Sequence, residues 1–232
     1  MGGVIPLSDV SRRPANFPVV TLAIIVLNFI VFIIELFAGQ PFVERWSFVP
    51  ADIAQGKHLE TIFTAMFMHG SWSHILGNMV FLWAFGPEIE DAMGWWRYLI
   101  YYLLGGIAAA LAQVAFDPSS TVPNLGASGA IAAVMGGFLV TYPRDQIRSL
   151  LVIFVFVRVT YIYAALLIGV WFLLQLVNIG PIVAGPVTGS QAAGGVAYMA
   201  HVGGFIFGAV FARLFEDPQR IAAQPVDDDA LG

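Results

Sequence analysis

The sequence predicts an all-α, polytopic membrane protein with six transmembrane helices, and three observations support this fold class. Of the 232 residues, 59% are hydrophobic and only 11% are charged, whereas about 25% of residues carry a charge in an ordinary soluble domain. The mean hydropathy is +0.81, and a soluble domain of this size could not hide so much apolar surface from water. The apolar residues also gather into long stretches, as transmembrane helices require.

Six apolar stretches define the predicted spans in chain order. A bilayer core needs about 20 apolar residues in a helix, and spans two and four are shorter than this. Residues 150–157 are either an extension of span five or a segment at the cytoplasmic edge of the membrane. The connection 38–68 is amphipathic and rich in aromatic residues, so we expect it to lie in the outer membrane–water interface. The predicted spans are residues 19–37, 74–85, 98–115, 128–140, 160–177 and 196–214.

Lysine and arginine residues give the expected orientation of these spans. An even number of spans puts both termini on one side, and that side holds eight of the ten lysines and arginines. Because cytoplasmic loops are enriched in these residues, both termini are predicted to be cytoplasmic. The short termini favour a bacterial protein, so the expected location is the bacterial inner membrane. The eight residues are Arg12, Arg13, Arg97, Arg144, Arg148, Arg158, Arg213 and Arg220, and the opposite side holds Arg45 and Lys57.

The spans divide the chain into three parts. Residues 1–18 are expected to form a cytoplasmic segment, residues 19–214 the six-helix membrane domain, and residues 215–232 a disordered acidic cytoplasmic tail. The net charge of -5 offers no attraction to a phosphate backbone, so no nucleic-acid partner is expected. The chain has no cysteine, which excludes disulfides, thiolate metal sites and a cysteine nucleophile.

Polar residues recur near the start of three spans that run in the same direction. His74 and Asn78 lie four residues apart on one face of span two. Ser128 opens span four, and His201 lies near the start of span six. Spans two, four and six all run from outside to inside, so the four side chains should lie at a similar depth. Polar groups inside a membrane are costly and usually functional, so this shared depth predicts a site.

The four residue types suit nucleophilic catalysis. A serine hydroxyl needs a base to become a nucleophile, and imidazole can serve as that base. Attack on an amide carbonyl creates an oxyanion, which His74, Asn78 and the backbone N–H of Ser128 could stabilise. The positive end of the helix that starts at Ser128 favours the same charge. Both residues also have structural interpretations without catalysis. The Ser128 hydroxyl would then bond to the backbone of its own helix, and His201 would form a hydrogen bond to a neighbouring helix.

Glycine spacing supports close contact between spans four and six. Gly204 and Gly208 form a G-x-x-x-G pattern in span six, and Gly129 follows Ser128 in span four. Small residues let transmembrane backbones approach closely, which would bring Ser128 within reach of His201. The same pattern could instead mark a dimer interface, and the sequence leaves the oligomeric state unknown.

Three motifs together resemble the rhomboid family of intramembrane serine proteases. The first runs from His69 to Asn78 (HGSWSHILGN), the second is Gly126-Ala-Ser-Gly129, and the third runs from Ala200 to Gly208 (AHVGGFIFG). The likeness extends over residues 63–208, and the three motifs occur in the family's order on the corresponding spans. Each motif alone would be weak, whereas their combination is specific.

The resemblance implies a six-helix rhomboid-like bundle with a Ser128–His201 dyad and no third carboxylate. It implies that His74 and Asn78 are oxyanion-hole side chains and that the substrates are transmembrane proteins in the lipid bilayer, cleaved near the outer end of their spans. No cofactor is implied. We expect His69 to brace the first loop by hydrogen bonds, and the small residue Gly126 to belong to the serine motif.

Several residues near the expected site either depart from the family's pattern or have more than one interpretation. Many members carry an aromatic residue four positions after the serine, packed on the catalytic imidazole, and here that position is Ala132. A neighbouring side chain is the expected substitute. Trp171 and Phe172 in span five pack in the core or against lipid, unless they form the lateral substrate gate that the resemblance suggests. Glu35, at the end of span one, is expected to be solvated.

Rival functions make different demands on the sequence. A metal site is not expected, because the spacing of His69 and His74 turns them apart on a helix and no cysteine or buried carboxylate completes a ligand set. A small transporter would need a charged or repeated pathway, which is absent from the sequence. The alternative that stays open is a catalytically inactive relative that binds membrane proteins, although such a protein would be free to lose Ser128 or His201.

Overall fold

The computed structural model describes residues 2–184 and 197–227. The predicted start of span six at Val196 and the acidic tail residues Asp228 and Asp229 lie outside these described ranges. Within them, six long helices follow the predicted spans, three short helices and a 3-10 turn fill the connection 38–68, and another short helix lies near the C-terminal end. The helices are α1 (Val19–Ala38), α2 (Gln40–Trp46), α3 (Pro50–Ala54), α4 (Thr61–Thr64), α5 (Trp72–Met93), α6 (Trp95–Phe116), α7 (Ser128–Thr141), α8 (Ala164–Ala184), α9 (Tyr198–Phe215) and α10 (Pro218–Ala223).

The predicted helical membrane bundle is confirmed. In the described part of the chain, α1, α6 and α9 are long and apolar enough to cross a membrane, while α7 and the first sixteen residues of α8 are shorter apolar helices. Length and hydropathy therefore do not by themselves establish a count of six spans. Span two was predicted too short, since α5 continues from Phe85 to Met93 through Pro87.

The extra turns of α5 carry a carboxylate that caps the start of another helix. Glu88, Glu90 and Asp91 are charged in sequence but buried in the structure. Glu90 accepts hydrogen bonds from the backbone N–H groups of Val20 and Thr21 at 2.8 and 2.7 Å. The first N–H groups of a helix lack intrahelical partners, so Glu90 satisfies the start of α1 and draws the end of α5 into the bundle.

A three-stranded sheet at the end of the bundle was not predicted. Strands β1 (Gly2–Asp9), β2 (Gln146–Ile153) and β3 (Phe156–Tyr163) pair antiparallel in the order β1-β2-β3. The stretch 150–157 is thus part of a hairpin and not an extension of span five, while its position at the cytoplasmic edge of the membrane stays a prediction. Span five begins at Ala164 instead of residue 160, because Thr160–Tyr163 belong to β3. The runs of valine, isoleucine and tyrosine explain this, since these residues favour strands.

The described part of the tail is ordered, which corrects the prediction of disorder for residues 215–227. Asp217 caps α10 by accepting from the backbone N–H of Gln219 at 3.0 Å. Gln224 is buried, accepts from the Tyr142 hydroxyl at 2.6 Å and donates to the Glu88 carbonyl at 3.0 Å. These bonds hold the segment against α5 and the end of α7. The acidic composition of the tail does not indicate such contacts.

Helix α7 is the central helix of the bundle. Every residue from Gly129 to Phe138 is buried, and a helix that is apolar on all sides is expected in the middle of a fold. It packs against α5, α6, α8 and α9. A separate small cluster lies in the segment before α5, where Phe48, Ile53 and Ile62 pack against Ala110 of α6. Because β2 begins shortly after the last residue of α7, the first residues of α7 lie at the end of the bundle opposite the sheet.

Candidate active site

The Ser128 hydroxyl and the His201 imidazole meet at the N-terminal ends of α7 and α9. The Ser128 Oγ lies 2.8 Å from His201 Nε2, although the two residues are 73 positions apart in the chain. His201 is only 8% exposed. The two groups that the sequence suggested as a dyad are therefore within hydrogen-bonding distance.

Glycines make this approach possible. A Cβ on Gly204 would collide with the carbonyl oxygen of Gly129, and one on Gly208 would collide with the carbonyl oxygen of Ala133. A Cβ on Gly136 of α7 would likewise collide with the α9 backbone. The backbones of α7 and α9 are in direct contact, so the G-x-x-x-G face is occupied inside the bundle instead of being open for a dimer.

The loop before Ser128 places the His74 ring beside the serine. Gly126 has a φ of +129°, a conformation that is costly for residues with a Cβ. Its N–H donates to the Ala65 carbonyl at 2.8 Å, and a Cβ there would lie 2.9 Å from His74 Nε2. The absence of a side chain at Gly126 thus gives the His74 ring its place. His74 itself lies in the first turn of α5, where its N–H donates to the Ser71 hydroxyl at 3.1 Å.

His69 and Asn78 form a second polar contact in the site. Asn78 Nδ2 lies 2.9 Å from His69 Nε2, so the amide donates to a ring nitrogen that carries no proton. Burial, followed by the neighbouring His74, lowers the pKa of His69 to about 3, which agrees with this neutral acceptor. An amide nitrogen carries two hydrogens, and one of them is left for another acceptor. This hydrogen bond joins His69 to α5, and the role of His69 as a brace of the first loop stays a prediction.

Glu35 is not solvated, contrary to the expectation from its place at the end of span one. It is 4% exposed, and its carboxylate oxygens accept from the His69 backbone N–H at 3.1 Å. Glu35 therefore connects the end of α1 to the loop that holds His69. From the sequence, a carboxylate so close to the end of an apolar span could be either exposed to solvent or buried. Only the tertiary contact with His69 distinguishes these two environments.

Two residues of α8 complete the surroundings of His201. Gln175 is 9% exposed, and its Oε1 lies 2.9 Å from His201 Nδ1. The Trp171 ring lies 5.7 Å from the imidazole, centroid to centroid. Ala132 is fully buried, and the aromatic ring beside the imidazole is that of Trp171, which comes from a different helix. Gln175 was not predicted from the sequence, although it is a polar residue in an apolar span and lies four residues from Trp171, on the same helix face.

The second predicted gate residue packs inward. The Phe172 ring stacks on Phe205 of α9 with centroids 4.2 Å apart and planes inclined by 19°. In this structure α8 is therefore held against α9 at the level of the site. The role of Trp171 and Phe172 as a gate stays a prediction.

A small cavity adjoins the serine. It has a volume of about 30 Å³, and Gly126, Ser128, Gly129 and Ala200 are among the residues that line it. A cavity of this size can hold a water molecule, which a hydrolytic reaction would need. Among residues 2–184 and 197–227, no group of three histidine or acidic side chains is arranged to hold a metal ion.

Comparison with known proteins identifies the family to which this chain is related. The family model of the Rhomboid domain matches residues 56–217. RHOMBOID-like protein 12, mitochondrial, from Arabidopsis thaliana is 31% identical over 54% of this chain and 42% of its own length. Rhomboid-related protein 2 from Mus musculus is 30% identical over 66% of this chain and 50% of its own length. Rhomboid protease GlpG from Yersinia pestis is 26% identical over 56% of this chain and 46% of its own length.

The chain spans about half the length of these relatives. The match to the family model nevertheless covers most of the chain and includes all three sequence motifs. It also includes α5 to α9, the helices that surround Ser128 and His201. The chain is an integral membrane protein and belongs to the rhomboid family.

Proposed function

We propose that this protein is an intramembrane serine endopeptidase that uses Ser128 as nucleophile and His201 as general base. The observation that carries the proposal is the 2.8 Å contact between Ser128 Oγ and His201 Nε2. The distance is that of a hydrogen bond from a hydroxyl to an imidazole nitrogen, the arrangement that nucleophilic catalysis by serine requires. A relative in the same family carries the name of a protease.

The reaction follows from the two atoms in contact. As Ser128 Oγ forms a bond to the carbonyl carbon of the substrate, His201 Nε2 takes the hydroxyl proton and the carbonyl oxygen becomes an oxyanion. His201 then gives this proton to the amide nitrogen, the carbon–nitrogen bond breaks, and an acyl-enzyme remains. A water molecule, deprotonated by His201, attacks the ester and releases Ser128 with its proton restored.

The oxyanion has three donors within the site. The N–H of Ser128 is one of the first N–H groups of α7, which lack intrahelical partners. The second hydrogen of the Asn78 amide and the ring of His74 are the other two. Removing one oxyanion donor from a serine protease costs about 100- to 1,000-fold in kcat. These residues therefore contribute chiefly to the transition state.

The substrate class and orientation are part of the proposal. The site lies at the end of the bundle that carries Arg45 and Lys57, away from the cationic residues around the sheet, so we place it on the extracytoplasmic side with both termini in the cytoplasm. The substrates are transmembrane segments, cut near their outer ends. A bacterial inner membrane is the proposed location, although one relative is named as mitochondrial.

A fluorophosphonate probe tests the nucleophile, because it reacts covalently with an activated serine. We expect labelling of the wild-type protein in detergent and loss of labelling in Ser128→Ala and in His201→Ala. Ser119→Ala and His58→Ala are matched controls, since both residues are exposed and lie away from the dyad. Labelling that persists in Ser128→Ala would refute the assignment.

Cleavage of a model single-span substrate separates the protease from the inactive alternative. The wild type should cut the substrate, and Ser128→Ala should bind it without cutting. A wild-type protein that binds membrane proteins but neither cuts them nor reacts with the probe would support the non-catalytic relative instead.

A further inference from the structure

We propose that Gln175 is a positioning residue that holds His201 in the tautomer required of a base. This inference rests on the proposed serine-protease function and concerns the same site. In soluble serine proteases a carboxylate performs this task for the histidine. Here an uncharged amide from α8 takes the corresponding place.

The hydrogen bonds around Gln175 settle which end of the amide faces the histidine. Gln175 Nε2 donates to the backbone carbonyl of Trp171 at 3.2 Å, so the nitrogen end of the amide is occupied. The oxygen end, Oε1, lies 2.9 Å from His201 Nδ1. An amide oxygen can only accept, and the proton of this contact must therefore be carried by His201 Nδ1.

This proton position determines what the other ring nitrogen can do. A neutral imidazole carries one proton, so with a proton on Nδ1 the Nε2 atom presents a lone pair. That lone pair lies 2.8 Å from the Ser128 hydroxyl, where it can accept the proton as the serine attacks. The opposite tautomer would direct an N–H at Ser128 and leave two acceptors facing each other at Nδ1 and Oε1.

Trp171 supports the same orientation from one turn earlier on α8. Its ring lies 5.7 Å from the imidazole at an interplanar angle of 38°, and the Phe172–Phe205 stack holds α8 against α9. Two side chains of α8 therefore contact the His201 ring: Trp171 covers its face, and Gln175 accepts the hydrogen bond from Nδ1. The base is therefore competent only while α8 packs against α9.

The use of an amide instead of a carboxylate has a measurable consequence. When His201 takes the serine proton it becomes a cation, which Gln175 stabilises only through the dipole of its carbonyl. A carboxylate in the same place would stabilise the imidazolium more strongly, since it adds a full charge at the same distance. The protonated, inactive histidine would then persist to higher pH.

Three variants distinguish positioning from simple packing. Gln175→Leu removes the acceptor, and we expect kcat to fall by about 100-fold with little change in KM, within the range that general-base catalysis contributes. Gln175→Glu keeps the acceptor and the size, so we expect most of kcat to return at high pH and the acidic limb of the pH–rate profile to move to higher pH. Asn178→Leu is the control, because Asn178 is an exposed amide of the same helix that bonds the Leu174 carbonyl.

The tautomer itself gives a readout that does not depend on activity. The chain has four histidines, so the ¹⁵N chemical shifts of the ring nitrogens can be assigned with variants in which one histidine at a time is replaced. We expect the proton of His201 on Nδ1 in the wild type and in Ser128→Ala, and a mixture of tautomers in Gln175→Leu. A proton on Nε2 in the wild type, or a Gln175→Leu protein with wild-type kcat, would overturn the inference.

The two proposals fail in different ways. If the protein is not a protease, wild type and Ser128→Ala show the same result in the cleavage assay. His201 still carries its proton on Nδ1, and this tautomer still depends on Gln175. If Gln175 only packs, Ser128→Ala abolishes cleavage, whereas Gln175→Leu and Gln175→Glu lower stability without moving the tautomer or the pH profile.

Discussion

Substitution of Gly204 by alanine tests whether backbone contact between α7 and α9 sets the geometry of the site. A Cβ at Gly204 would collide with the carbonyl oxygen of Gly129 and lie 3.0 Å from its carbonyl carbon, whereas ordinary contact begins near 3.4 Å. Backbone cannot move aside as a flexible side chain does. The two helices would have to separate by about 1 Å to restore van der Waals contact.

That separation has two expected costs. Overpacking of a tight interface destabilises a protein by about 1–3 kcal/mol. The 2.8 Å contact between Ser128 and His201 would lengthen beyond a good hydrogen bond, and a misplacement of about 1 Å costs about 100-fold in rate. We therefore expect Gly204→Ala to lower both the unfolding temperature in detergent and the rate of cleavage of a single-span substrate.

The matched control is Gly169→Ala. Gly169 also lies in a long helix, but nothing lies within 4 Å of where its Cβ would be. Alanine there should stabilise the helix by about 0.5–1 kcal/mol and leave cleavage unchanged. Equal unfolding temperatures and equal cleavage rates in the two variants would show that close packing at Gly204 does not position the dyad.

Three further variants probe other parts of the structure. Asn78→Ala should lower kcat by about 100- to 1,000-fold with little effect on KM, because it removes a proposed oxyanion donor. An equal loss in substrate binding, measured by steady-state kinetics, would show that Asn78 shapes the cavity instead. Glu35→Leu leaves the buried N–H of His69 without an acceptor and should cost about 1–3 kcal/mol of unfolding free energy, with Glu35→Gln less affected; unchanged unfolding in Glu35→Leu would contradict the contact. Burial and the nearby Asp145 raise the pKa of Asp9 from 3.8 to about 8, so its proton stabilises the folded state fully below about 4 and this contribution is lost as pH rises through about 8. Asp9→Asn should flatten this decline in thermal unfolding experiments, and a decline that persists would assign it to another group.

The long helices could be predicted because the membrane environment of each one is visible in the apolar composition of its own residues. The apolar stretches of α1, α6 and α9 differ in position from the predicted spans by a few residues at most. The sheet was missed for a related reason. A short apolar run beside a span is compatible with helix and strand alike, and β2 is a strand because β1 and β3 supply its hydrogen-bonding partners.

The site was only partly predictable. Ser128, His74, Asn78 and His201 occur in motifs whose spacing is visible in the chain. Gln175 occurs in an apolar helix among leucines, and a single amide there does not indicate which residue it contacts. Its partner His201 is 26 positions away, and the orientation that joins them depends on how two helices pack.

The pairing of β1 with β2 has a consequence for the order of folding. Gly2 lies opposite Ile153 in the sheet, so β1 has no partner until the chain has been made at least as far as β2. The β2–β3 hairpin closes through a two-residue turn and can form at once, since short loops close with little loss of entropy. β1 must therefore stay unpaired in water while the intervening helices enter the bilayer, and its docking closes the fold by joining the beginning of the chain to its middle.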